Sequence, residues 1–300
     1  MSGWKILALC DGVAEATVVP ENGAALASYD LLDRAGRTAL FRFCADPSRA
    51  GPFDLASNLL VPWSNRISGG GFWFGGRFHP LEPNIPGEPY PIHGNGFSSA
   101  WTVERQEPAS AELSFESDGP GSFRYEASVR YAMARGDLTM RLSVRNLGAG
   151  PLPFGLGFHP WIVRCPQTIL QAKAAQVVLE TNDHLPAGQT PTASCPEWDF
   201  ATAHALPAGW INNAFRDWDG RASILWPDRK LALDIVADPP LSTYILYSPS
   251  GNADFFCFEP VTHPVDAHNL PEGPRAHGLI ILAPAQSMSA ACLFRARRLG

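Results

Sequence analysis

Phe123-Arg124-Tyr125-Glu126-Ala127-Ser128-Val129-Arg130-Tyr131 alternates apolar and polar residues without a break, and Leu138-Thr139-Met140-Arg141-Leu142-Ser143-Val144-Arg145 does the same. A period of two over that length describes half-buried β-strands with one wet face. Ala134-Arg135-Gly136-Asp137 between them carries the residues of a tight turn, so the two runs are expected to pair as a long antiparallel hairpin. The rest of the chain agrees with this local reading. Its 27 glycines and 28 prolines leave no room for long helices, and we expect an all-β architecture.

Working outward, Ala16-Thr17-Val18-Val19 and Ala24-Ala25-Leu26-Ala27-Ser28-Tyr29 flank the turn Pro20-Glu21-Asn22-Gly23 and form an opening hairpin. Residues 40–54 are irregular and read as a surface connection. Further strands are expected at Gln176–Glu180, Ala222–Trp226, Lys230–Val236 and Thr243–Tyr247, and in the doubly apolar run Phe255–Phe258. Gly278–Leu282 and Ala290–Phe294 are expected to close the sheet. No internal repeat is evident, and we expect residues 1–300 to form one domain, as all-β chains of this length often do.

Two strands end in a similar way. Phe154-Gly155-Leu156-Gly157-Phe158-His159-Pro160-Trp161 leads to a histidine before proline, and Phe255-Phe256-Cys257-Phe258-Glu259-Pro260 leads to a glutamate before proline. Proline has no N–H to give a ladder and pushes its predecessor into extended geometry, so both side chains are expected at strand ends. Gly155 and Gly157 leave space beside His159 for a ligand or another backbone. A buried, satisfied histidine at a sheet corner is the plainer reading of the octapeptide alone. Paired with Glu259, it becomes a workable acid/base couple.

Residues 58–101 are dense in Gly, Pro, Asn and aromatic side chains and read as a long ordered loop, a type that is more often functional than filler. It contains Asn65-Arg66-Ile67-Ser68-Gly69-Gly70 and Ile92-His93-Gly94. Trp63, Phe72, Trp73, Phe74 and Phe97 within it call for burial.

The formal net charge of −6 argues against nucleic acid or an anionic membrane surface as the main partner, and a neutral or small solute fits better. The opening apolar run is too short for a signal peptide, no stretch is long enough to cross a bilayer as a helix, and a cytoplasmic location is expected. Six widely spaced cysteines without a C-x-x-C pair read as reduced thiols.

Taken in order, Asn65-Arg66-Ile67-Ser68-Gly69-Gly70, Ile92-His93-Gly94, Gly157-Phe158-His159-Pro160 and Cys257-Phe258-Glu259-Pro260-Val261-Thr262-His263-Pro264-Val265-Asp266-Ala267-His268-Asn269 resemble the motifs of the aldose 1-epimerases, or galactose mutarotases. The resemblance runs from the first hairpin to the C-terminus. It implies a galactose-mutarotase-like β-supersandwich, no cofactor, and interconversion of the α and β anomers of a free sugar. By the same resemblance Glu259 is the base and His159 the acid. Arg66 and His93 hold the sugar, and Asn65 places Arg66. The two catalytic side chains are expected to face each other across a gap one sugar wide.

One stretch departs from the family pattern. Where many members carry an aspartate that binds sugar hydroxyls, this chain reads Asn212-Asn213-Ala214-Phe215. Asn212 is therefore expected to be the sugar contact, with Asn213 as the other candidate for that register, and an Asp at 212 is expected to shift the ranking of aldoses.

Other readings remain open. A hexose-6-phosphate 1-epimerase would need cationic residues for the phosphate, with Arg66, Arg77, Arg216, Arg221 and Arg229 as candidates. A non-catalytic carbohydrate-binding protein would share the fold but lose His159 or Glu259, and both are present. His263, Asp266 and His268 are loosely spaced like metal ligands, but the simpler reading is a polar loop, and no metal is expected. The sequence leaves the oligomeric state open.

Overall fold

The computed structural model describes residues 3–34 and 36–299. Among these, two large antiparallel sheets dominate, with short 3-10 turns as the helical content. The hairpin forms as expected: Tyr125–Ala134 pairs with Asp137–Asn146 in continuous register from Tyr125↔Asn146 to Ala134↔Asp137. Arg135 and Gly136 make the two-residue turn, both at positive φ, as the right-handed twist of the flanking strands requires. Tyr125, Ala127, Val129, Tyr131 and Met133 are buried, as are Leu138, Met140, Leu142 and Val144, and the polar residues between them face outward.

This hairpin lies near one edge of a nine-stranded sheet. Ser287–Arg298 runs through the middle of that sheet, between Asp137–Asn146 and Leu231–Ala237, so the chain end is central instead of closing an edge. Ile280–Leu282 belongs to neither large sheet and pairs with Leu152–Phe154.

The second sheet has eleven strands. Its central path runs Ser57–Leu60, Gly157–Val163, Phe255–Val261, Thr243–Ser248, Ile211–Arg216 and Gln176–Glu180, with the opening hairpin beyond Ser57–Leu60. One face packs on the nine-stranded sheet: Phe158, Phe256, Phe258, Leu246, Tyr244, Phe215 and Val177 join Tyr125, Leu142 and Ile235 in one apolar core. Side chains alternate along a strand, so the intervening residues emerge on the opposite face. There Leu60, Val178, Ala214, Ile245 and Val261 form a separate apolar floor.

Neither His159 nor Glu259 ends a strand, contrary to expectation. Gly157–Val163 and Phe255–Val261 both run on through Pro160 and Pro260. The pairing between them is registered at Gly157↔Val261 and resumes at Trp161↔Cys257, so the ladder opens across the prolines that cannot donate to it. The flanking strands hold the pair in place, with His159↔Asn58 on one side and Ile245↔Glu259 on the other.

Candidate functional site

Residues directly opposite one another across paired strands share a face. Asn58, His159, Glu259, Ile245, Ala214 and Val178 therefore lie in one row on the face turned away from the core. His159 Nε2 stands 3.4 Å from Glu259 Oε1, and the two residues are only 6% and 2% exposed. They are in contact and not a sugar's width apart. The His159 ring stacks on Trp161 at 5.0 Å and 14°, and the Arg42 guanidinium covers the Trp161 ring at 4.0 Å. His159 Nδ1, Glu259 Oε2 and Trp161 Nε1 are buried without a protein partner, a condition rare enough in native folds to mark a place where polar ligand atoms belong.

The glycines beside His159 admit protein and not ligand. A Cβ on Gly155 would sit 2.2 Å from the His263 ring, and one on Gly157 would meet Val261.

Residues 58–101 are not one loop as expected: Leu60 ends a strand, and Gly71–Phe74 pairs with Arg77–Pro80 in a small hairpin whose Trp73 is 68% exposed, against the expected burial. The segment nevertheless brings three more expected residues to the pair. Asn65 and His93 both have positive φ, a costly geometry for non-glycine residues that surrounding contacts must hold. The His93 amide donates to the Asn65 carbonyl at 3.0 Å, and the Asn65 amide donates to His93 Nδ1 at 3.0 Å. Neutral His93 thus carries its proton on Nε2. Its ring meets that of His159 at 5.3 Å, edge to face. Asn84 clamps the same loop, donating to the carbonyls of Ile92 and Gly94 and accepting from the Ile92 amide. Arg66 is held by a bidentate pair with Glu88, at 3.0 and 2.9 Å, and by Asn65 Oδ1 at 3.4 Å.

Burial controls the charges. It pushes the Glu259 carboxyl well above the usual carboxylate range, against the pull of Arg66. It pushes the His159 imidazole down to about 3, and nearby Arg42 acts in the same direction. His93 is driven well below its ordinary value by burial, then by His159 and Arg66. Burial thus disfavours both the ionised form of Glu259 and the protonated form of His159, the two forms that base and acid roles require. Burial and the neighbouring Glu259 also keep the Cys257 thiol protonated. The ligand atoms of His159, Cys257 and Glu259 lie within 4.8 Å of one another.

Asn212 sits on the same face one row along, opposite Tyr247, which in turn faces Cys257 and then Trp161. Its Nδ2 donates to Glu180 Oε2 at 2.9 Å. Asn213 takes the alternate direction, and its amide donates to the Val178 carbonyl. A cavity of about 630 Å³ lies further along this face, lined by Gln176, Val178, Gln189, Arg216 and Glu272 among others. It includes neither His159 nor Glu259, and we locate the site by the convergence of the polar pair.

The sequence matches the aldose 1-epimerase family over residues 5–295. The chain belongs to that family. The uncharacterised Escherichia coli K12 protein YphB is 37% identical over 240 residues, covering 78% of this chain and 81% of YphB. The crystal structure of a candidate aldose 1-epimerase from E. coli K12 superposes with a TM-score of 0.89 at 32% identity, covering 99% of this chain and 100% of that one. A galactose mutarotase-like protein from Clostridium acetobutylicum has the same fold, with a TM-score of 0.83 at 18% identity and 99% coverage of both chains.

In this epimerase-family chain the other motif residues are structural. His263 Nε2 accepts from the Ser64 amide, so its Nδ1–H donates to Thr262 Oγ1. Asp266 accepts from the Ser68 amide and hydroxyl at 2.9 and 2.6 Å, and His268 packs against Trp63 and Phe72. These three do not form a metal site. The five candidate arginines are not gathered either: Arg66 is paired with Glu88, Arg77 is on the hairpin Gly71–Phe74/Arg77–Pro80, Arg221 and Arg229 belong to the nine-stranded side, and Arg216 lines the 630 Å³ cavity, where it donates to Gln189 Oε1.

Sequence reading missed Glu88, Asn84 and Glu180. Glu88 lies in Pro86-Gly87-Glu88-Pro89, where an acid between prolines is a faint sign of a fixed position.

Proposed function

We propose that the protein interconverts the α and β anomers of a free aldose, with His159 and Glu259 moving the protons. The observation that carries this reading is the 3.4 Å contact between the two buried side chains. In a cyclic aldose the anomeric hydroxyl and the ring oxygen are bonded to the same carbon. Protons must leave one and arrive at the other, so an acid and a base in contact match the reaction better than a pair on opposite edges of the ring.

Glu259 takes the proton of the anomeric hydroxyl as His159 delivers one to the ring oxygen. The bond between the anomeric carbon and the ring oxygen breaks, leaving the aldehyde and a hydroxyl. Rotation about C1–C2 and the reverse transfers close the other anomer. The pair starts and ends with one proton, and no net charge enters the buried site. The Arg66 charge lowers the Glu259 pKa and so favours the ionised carboxylate from which the transfer starts. In this reading His93 Nε2–H and Arg66 Nη1 donate to sugar oxygens, a role supported by the hold of Glu88 and Asn65 on the guanidinium. General acid and base catalysis contribute roughly 10²–10⁴-fold per group.

Saturation-transfer NMR over glucose, galactose, xylose and glucose 6-phosphate tests the proposal. We expect exchange above the buffer rate for at least one free aldose and less for the phosphate ester, because the candidate arginines are dispersed. Buffer-level exchange for every free aldose would refute it.

A further inference from the structure

One carboxylate on the sugar-facing side of the eleven-stranded sheet has no part in this chemistry. Glu180 ends its strand next to Asn212, and its two oxygens are fixed separately. Trp210 Nε1–H donates to Oε1 at 2.6 Å, Asn212 Nδ2 donates to Oε2 at 2.9 Å, and His184 Nδ1 lies 2.8 Å from the same Oε2. The His184 ring stacks on the Trp210 ring at 5.7 Å and 28°, and Trp210 meets Tyr247 at 5.2 Å. Tyr247 meets Trp161, the ring under His159, at 6.4 Å. A wall of aromatic rings thus runs from the acid/base pair to Glu180.

The partners of Glu180 show which way it leans. Both N–H donors come from the neighbouring strand or its lead-in, Trp210 and Asn212, so the carboxylate reaches over that strand toward Glu259. Three strand spacings, about 14 Å, separate the Glu180 strand from the Glu259 strand, and the carboxylate's reach over Ile211–Arg216 shortens that gap. The side chain of Glu180 is 20% exposed, and a carboxylate has about four acceptor positions, so one remains for a ligand hydroxyl after its three neighbours.

We infer that Glu180, fixed by Asn212, Trp210 and His184, accepts hydrogen bonds from the sugar hydroxyls remote from the anomeric carbon and selects neutral sugars over anionic ones. The inference rests on the proposed reading of His159 and Glu259 as the anomeric end. It gives Asn212 a positioning role: the amide that replaces the family's aspartate turns its donor to a carboxylate supplied by another strand. The acidic contact is relocated instead of lost. An aspartate at 212 would bring a second carboxylate beside Glu180 Oε2, where like charges repel.

The experiment uses the full-length protein and Glu180→Gln, Asn212→Ala and Asn212→Asp, each checked by circular dichroism. The probe is 1,5-anhydroglucitol, a neutral ring that lacks the anomeric hydroxyl, titrated by calorimetry with glucuronate as its anionic counterpart. We expect Glu180→Gln to weaken 1,5-anhydroglucitol binding at least tenfold and to narrow the preference over glucuronate. In exchange assays KM for the best free aldose should rise by a similar factor while kcat stays within about threefold. Asn212→Ala should act in the same direction but less, and Asn212→Asp should weaken binding of the neutral probe.

Unchanged probe affinity in a folded Glu180→Gln, or no binding of the probe by the wild type, would overturn the inference. Should Glu180→Gln fail to fold, Asn212→Ala decides, and wild-type affinity there overturns it equally. A wild type that binds the probe through Glu180 but exchanges no anomers would leave this assignment standing and remove the catalytic proposal.

Discussion

His159 and Glu259 lie in a dry environment that sets their charge as well as their position. Burial disfavours the charged form of each. Lowering the pH must add a proton to an imidazole already pushed down to about 3. Raising it must remove the proton from a carboxyl held well above its usual range. With the His159 imidazole lowered this far, we expect kcat/KM to show no acid limb at the ordinary histidine value near 6.5. Exchange rates corrected for the spontaneous reaction check this, and a fall centred near 6.5 would mean a solvated histidine carries the proton. The sequence exposed the identities of the pair, because each sits in a motif with a proline after it. Their contact was not legible, since it depends on Pro160 and Pro260 falling opposite each other's strands. The charge state was not legible either, because it comes from burial that no motif records.

The strands supply the catalytic pair, and two loops supply the groups around it. A single aspartate fastens those loops together. Asp266 accepts from the amide and hydroxyl of Ser68, its own amide donates to the Arg66 carbonyl at 3.0 Å, and Asn269 Nδ2 ties Asp266 Oδ1 to the carbonyls of Ser68 and Gly71. Losing a buried acceptor strands several donors at once, at about 1–3 kcal/mol for such a group. We expect Asp266→Ala to lower the urea midpoint by that free energy with an unchanged m-value, because Ser68 and Asn269 lose their side-chain acceptor. An unchanged midpoint would show that the clasp carries no stability. The period-two hairpin at 125–146 could be read directly from sequence, since alternation is a local property. The prolines inside the two site strands could not, because the rule confining proline to strand ends yields where neighbouring strands hold the register. Glu180 escaped notice for a similar reason: in sequence it resembles Glu112 or Glu126, which face solvent on other strands.

For the molecule as a whole, the two faces of the eleven-stranded sheet divide the work. Phenylalanines at 158, 256 and 258 bind it to the nine-stranded sheet, and the residues between them, His159, Cys257 and Glu259, form the opposite face. A shift of one residue would exchange the two sets, so the packing that stabilises the sandwich also aims the acid/base pair. The β-supersandwich expected from the family resemblance is the fold observed, at a TM-score of 0.89 to the E. coli structure. The most direct test of the central claim is polarimetry of freshly dissolved α-anomer of the best free aldose with wild type and Glu259→Gln, which keeps the shape of the side chain but cannot accept the proton. We predict that the variant remains folded and exchanges anomers on the order of 10²-fold more slowly or worse, whereas wild-type rates in Glu259→Gln would place the base elsewhere and contradict the account.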